Sequence, residues 1–105
     1  MKYSMFIGRW QPWHKGHRWL IDQRLNDNKN VLICVREVSK DDSNPYDPTK
    51  VKENIENELA DLILNGRVKV IIIPDIESVN YGRGVGYEII EHMPPFKIFF
   101  LDFSS

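Results

Sequence analysis

Residues Val31–Val35 read VLICV, five apolar residues in a row, three of them β-branched. An unbroken run of this kind suits a strand covered on both faces, the usual condition of a strand inside a parallel sheet. A second run, Val68–Ile73 (VKVIII), is closed by Pro74. Between the two, Val51, Ile55, Leu59, Leu62 and Ile63 recur at helical spacing, with lysine and glutamate among them. Asp47 and Pro48 mark the start of that helix as N-cap and first helical residue, and Gly66 marks its stop. Upstream, Tyr3–Ile7 reads as a short strand ending at Gly8. Lys15 to Asn26 reads as a helix with Trp19 and Leu20 toward the sheet and Arg18, Asp22 and Gln23 outward. Downstream, Tyr87–His92 reads as a short helix ended by Pro94 and Pro95. The apolar segment FKIFFLDF, Phe96–Phe103, reads as a fourth strand or an edge that pairs between subunits.

Strands alternating with helices imply a parallel sheet joined by crossover helices. The expected fold is therefore α/β, a Rossmann-like open parallel sheet of about four strands with flanking helices. The chain has 105 residues, enough for one core, and no repeat or linker divides it, so residues 1–105 are expected to form a single domain. Ligands of such sheets collect beyond the carboxyl ends of the strands. Three loops fall there: Gly8–Lys15, Arg36–Asp47 and Asp75–Gly86.

The net charge is −1, so no overall field draws the chain to nucleic acid or to an anionic membrane. The charge is nevertheless uneven. Lys2, Arg9, Lys15 and Arg18, with His14 and His17, all precede the first acid, Asp22. This basic island suits a small anion better than a long polyanion. The single cysteine, Cys34, lies inside an apolar run and reads as a buried thiol. With no membrane-length apolar stretch and no signal-peptide pattern, a cytoplasmic location is expected.

The first loop, GRWQPWHKGH (Gly8–His17), concentrates the chemistry. Gly8 would let the chain turn off the first strand, and Pro12 would stiffen the loop. Gly16, at a helix start, would let a phosphate approach the backbone, where first-turn N–H groups and the helix dipole favour an anion. His14 and His17, three apart, can point the same way and donate to phosphate oxygens as charge builds in a transition state. A metal site is disfavoured, since neither a cysteine nor an acid lies nearby in the loop. Trp19 reads as core. For Trp10 and Trp13, stacking on a base and packing over the site both remain open.

These residues resemble the first signature of the HxGH nucleotidyltransferase superfamily, and within it the nicotinamide mononucleotide adenylyltransferase branch. Gly8, Arg9, Pro12, His14, Gly16 and His17 match the motif directly, and Trp10 and Trp13 stand where phenylalanine is usual. NPY at Asn44–Tyr46 resembles the branch's NPF-type element, and IIIPDI at Ile71–Ile76 resembles the strand end before its substrate-binding loop. The HIGH-type aminoacyl-tRNA synthetases share the first motif, but this chain is too short for one.

The resemblance implies transfer of AMP or CMP from ATP or CTP to a small phosphorylated acceptor, with release of pyrophosphate and no covalent enzyme intermediate. It implies catalytic roles for His14 and His17 at the triphosphate. Gly8, Arg9, Trp10 and Gly16 would border the nucleotide, and Trp13, Arg36 and Asn44 the acceptor. Magnesium would bridge the phosphates, held by the nucleotide and water, with no protein metal ligand. Homo-oligomers are common in the family. Two departures stand out. The second signature, of type ISxTxxR, is absent from a chain that stops at LDFSS, so the C-terminal second-signature region is expected to be missing. Arg83, in NYGRGVGY, is the first candidate to replace its arginine, and Arg36 the second. That GRGVG loop also replaces the tryptophan-containing loop expected for nicotinamide mononucleotide; its plain reading is a flexible surface loop.

Two other functions stay in play: a nucleotide-binding module with weak or no transfer, and an interaction domain whose aromatic loop meets a protein partner.

Overall fold

The computed structural model describes residues 1–94. Three strands, β1 (Tyr3–Gly8), β2 (Asn30–Glu37) and β3 (Val68–Pro74), form a parallel sheet in the order β1-β2-β3. Helix α1 (Lys15–Leu25) crosses from β1 to β2. Helices α2 (Pro48–Glu58) and α3 (Ala60–Leu64) cross from β2 to β3. The architecture is that of a small parallel α/β sheet, consistent with a Rossmann-like fold, with three strands among the described residues. The fourth strand expected at Phe96–Phe103 lies outside them.

Register puts Phe6 beside Ile33 and Ile33 beside Val70. With Val31, Val35 and Val68 these residues form one buried sheet face. Successive crossovers move in one direction along the sheet. The usual right-handed connection then sets both helical layers on that same face. The core is the space between them: Ile21 and Leu25 of α1, Val51, Ile55 and Leu59 of the second crossover, and the β2 aliphatics. On the opposite face Tyr3, Met5 and Lys69 are exposed and Ile7, Leu32, Ile71 and Ile73 half-buried. Cys34 is the fully buried exception there. The doubly covered strand expected from VLICV is thus β2, in the sheet centre. β3 carries one open face.

Several local expectations are corrected. The second helix is not continuous: it breaks at Leu59 (φ −111°, ψ 24°) and resumes as α3. No glycine or proline announces this break. Leu59 is 2% exposed, and the bend falls where its side chain enters the core, with Leu62 and Ile63 packing beside it. Asp47 occupies the N-cap position, but its carboxylate makes no capping bond; the boundary is set by Pro48 at the first turn. Gly66, at φ 75°, follows α3 in the left-handed region as a helix stop requires. Trp19 is half-buried outside the core cluster, because the inward stripe of α1 runs His17, Ile21, Leu25, with Leu20 at its margin. Residues 87–92 are not helical. The seven residues between Gly86 and Pro94 are too few to sustain a helix without strong packing.

Among the described residues no helix is long and apolar enough to cross a membrane.

Ile33 is 0% exposed at the centre of β2. Ile33→Ala should lower unfolding free energy by about 2–5 kcal/mol, read from urea melts. Leu64→Ala, at a side chain 85% exposed, should stay within about 0.5 kcal/mol of the parent.

Candidate anion site at the carboxyl edge of the sheet

The loop from β1 to α1 is fixed from inside. Trp10, not Gly8, takes the left-handed conformation (φ 56°), and Gly8 ends β1 in register with Val35. A bulky residue at positive φ costs of order 1–3 kcal/mol and persists only where its surroundings compensate. Here the indole is 3% exposed, and its Nε1–H donates to the Cys34 carbonyl at 2.9 Å. A ligand can therefore meet Trp10 only through its backbone. Trp13 is half-buried and packs against the core margin.

The two histidines cap α1 reciprocally. His14 is the N-cap, and its Nδ1 accepts from the N–H of Gly16 (3.1 Å) and of His17 (3.4 Å). His17 Nδ1 in turn accepts from the His14 N–H at 3.3 Å. This is a capping box built from two imidazoles in place of a hydroxyl and a carboxyl. The first-turn N–H groups expected to hold an anion are thus partly taken by His14. Because both Nδ1 atoms accept, each neutral ring carries its hydrogen on Nε2.

The rings stack with centroids 3.6 Å apart and planes 19° apart. Trp10 meets His17 edge-on at 4.9 Å, and Trp13 lies 5.4 Å from it. Burial in this aromatic setting, and then the neighbouring His14 charge, lower the His17 pKa from 6.5 to about 3. The positive end of the α1 dipole acts in the same sense. His17 is a neutral hydrogen-bond donor, not a cation, at ordinary pH.

The second loop, between β2 and α2, joins this corner. Asn44 is 7% exposed, and its Oδ1 accepts from Arg9 Nη1 at 3.5 Å. Gln11 Oε1 accepts from the Tyr46 N–H at 3.0 Å, and Gln11 Nε2 is buried with no hydrogen-bond partner among the described residues. Asp41 holds the turn: its Oδ1 accepts from the N–H of Ser43 and of Asn44 and from Asn44 Nδ2. The backbone bond from Asn44, ahead of its side-chain bond, the Ser43 N–H and the charge of Arg9, lowers the Asp41 pKa. Composition alone marks DDSN as turn-forming. Nothing in the sequence marks Gln11 as a bridge between loops.

The structure thus gathers Gly8, Arg9, Trp10, Trp13, His14, Gly16, His17 and Asn44 at one corner. Arg36 is held elsewhere on the edge, its Nε and Nη2 both donating to Asp75 Oδ1 at 3.0 and 2.8 Å. Arg83 is exposed in the third loop, and no hydrogen bond or ion pair joins it to that corner among the described residues. A cleft of about 250 Å³ opens beside Trp13 and His14, rimmed by Lys15, Arg18 and Glu58. A larger one, about 590 Å³, runs between α2 and β3 past Lys52, Glu53 and Glu56 and contains none of these residues. No group of three or more metal-ligating side chains occurs among the described residues.

No family model matches the chain. No solved structure matches it either. A nicotinamide-nucleotide adenylyltransferase of Saccharolobus solfataricus is 28% identical to it over 103 residues, 95% of this chain and 58% of the relative. The chain therefore spans less than two thirds of that protein's length. This similarity supports a relationship of nucleotidyltransferase type.

The histidine cap makes stability pH-dependent. In the unfolded chain His17 binds a proton near its ordinary 6.5, whereas the folded site refuses it down to about 3. Stability should therefore be full above pH 6.5 and fall as the pH drops through that window, by up to one proton per chain. Urea midpoints between pH 7.5 and 5 should show this slope, and His17→Gln should flatten it. An unchanged slope in the variant would reject the assignment.

Proposed function

We propose that the chain carries the nucleotide site of a nucleotidyltransferase. The reaction moves a nucleoside monophosphate, AMP or CMP, from ATP or CTP to a small phosphorylated acceptor and releases pyrophosphate. The observation that carries this reading is the reciprocal cap. It sets two imidazoles, both accepting through Nδ1, at the start of a helix beyond the carboxyl end of β1. The ring centroids lie 3.6 Å apart, on the scale of one phosphate group, with His14 lining the cleft and His17 2% exposed beside it. Imidazole N–H donors strengthen as charge builds on the oxygens of the transferring phosphoryl group and need no proton transfer to do so. A neutral His17 also spares the site the cost of holding two stacked imidazolium rings.

Arg9 adds the positive charge, and the α1 dipole favours the anion from behind the rings. The backbone of Gly8 and Trp10 borders the nucleotide, and Trp13 and Asn44 stand on the acceptor side. Arg36 joins the acceptor set only by leaving Asp75. Magnesium enters as the nucleotide's own counter-ion, held by phosphate and water, since these residues offer it no ligand cluster. The distant likeness to an adenylyltransferase supports the reaction class. An aqueous intracellular compartment and assembly through identical chains accord with this reading.

A binding module with little transfer activity is the second reading. The exposed position of Arg83, apart from the histidines, favours it.

Pyrophosphate release from magnesium with ATP or CTP, over a panel of phosphorylated acceptors, separates the two. His14→Asn keeps a capping side chain and removes the imidazole donor. It should melt within about 1 kcal/mol of the parent yet lose about 100-fold or more of the release rate. Tight nucleotide binding with no release from any pair would reject the transferase and establish the module. Absence of nucleotide binding would reject both.

A further inference from the structure

Three of the six arginines of this chain pair with a carboxylate, and Arg83 is exposed in the third loop. Arg18 pairs with Asp22, Arg24 with Asp27 and Arg36 with Asp75. Arg67 serves the carbonyls of Leu25 and Lys29 and the Asn30 amide, at the amino end of the sheet. Arg9, at the carboxyl end, is likewise held by a neutral acceptor, here between two loops of the candidate site. Its hydrogen-bond partner is a neutral amide, Asn44 Oδ1, 35 residues away in sequence.

A carboxylate stands near. Asp41 is close enough for the Arg9 charge to lower its pKa, yet it forms no ion pair with Arg9. Its Oδ1 is occupied by the Ser43 N–H at 2.8 Å, the Asn44 N–H at 2.7 Å and Asn44 Nδ2 at 3.1 Å. The backbone closes the same turn, Asp41 N–H to Asn44 carbonyl at 3.0 Å and Asn44 N–H to Asp41 carbonyl at 3.2 Å. These bonds also settle which way the Asn44 amide faces. With Nδ2 donating to Asp41, Oδ1 is the atom left toward Arg9. The bond from the Tyr46 N–H to Gln11 keeps the two loops at this spacing.

We propose that Asn44, oriented by Asp41, is a positioning residue for Arg9, aiming its guanidinium at the nucleotide's phosphate chain while leaving its charge uncancelled for that ligand. The inference rests on the phosphate reading of this corner given above. A carboxylate in the place of Asn44 would aim the guanidinium equally well and spend its charge. An amide aims without neutralising.

Calorimetric titration of the full chain with inorganic tripolyphosphate, and separately with ATP and magnesium, tests this beside thermal melts. Arg9→Ala should weaken binding about tenfold or more. Asp41→Ala, at an exposed site, and Asn44→Ala should each weaken it roughly three- to tenfold by releasing the guanidinium. The paired exchange Asp41→Asn with Asn44→Asp conserves net charge and an acceptor for the Ser43 and residue-44 N–H groups, but sets a carboxylate against Arg9. It should melt near the parent and bind tripolyphosphate as poorly as Arg9→Ala. If the turn were only structural, an exchange that melts like the parent would bind like it, and that result overturns the proposal. So does Asp41→Ala binding at parental strength while Arg9→Ala is weakened. A parent chain that binds neither probe overturns the phosphate reading and this inference together.

Discussion

Everything at the carboxyl edge hangs on one side chain placed in the core. Trp10 enters the left-handed region, a conformation that glycine adopts freely and tryptophan does not. It is held there by burial of its ring and by one bond to the Cys34 carbonyl. That bond ties the loop leaving β1 to the central strand. The edge of the same indole then walls His17. The loop is therefore an extension of the core and not a flap laid over it. The histidines inherit this rigidity through the cap they make with each other.

The pairing of those histidines shows how local electrostatics can fix a chemical form. An N-cap must accept, so His14 presents Nδ1 to the helix; the reciprocal bond asks the same of His17. Both requirements exclude a proton from Nδ1, and burial excludes a second proton from His17. For His17, helix capping, tautomer and neutrality are then one fact seen three ways. Across the gap, the Asp41–Asn44 turn applies a similar economy, holding an acid near Arg9 without bonding to it.

Much of this was legible in the order of residues. The apolar runs marked β2 and β3 because clustered β-branched side chains favour an extended backbone, and β2 is the one packed on both sides. Pro48 and Gly66 marked helix limits because each constrains a dihedral angle. The spacing of His14, Gly16 and His17 located the corner, since a strand end followed by a helix start fixes where such residues lie. What failed to show were choices made by packing. The break at Leu59 follows from where one side chain enters the core. The strained residue is Trp10, not Gly8, because the core compensates a penalty that propensity alone would forbid. The first-turn N–H groups read as available for an anion, whereas His14 takes those of Gly16 and His17. The link from Gln11 to Tyr46 is a side chain meeting a distant backbone, which no local pattern encodes.

The one-sidedness of the sheet has an outcome for how the sequence can drift. In β1, Phe6 and Gly8 are buried, whereas Tyr3 and Met5 are exposed. In β3 the same beat runs through Val68, Lys69 and Val70. Neighbouring positions in these strands thus live under opposite selection, one closed to change and the next open to nearly any side chain that tolerates an extended backbone. β2 lacks the beat, being buried from Ile33 through Val35 without interruption. Descendants of this chain should diverge fastest at alternate residues of the outer strands and slowest along the middle one, so that variation itself draws the exposed face.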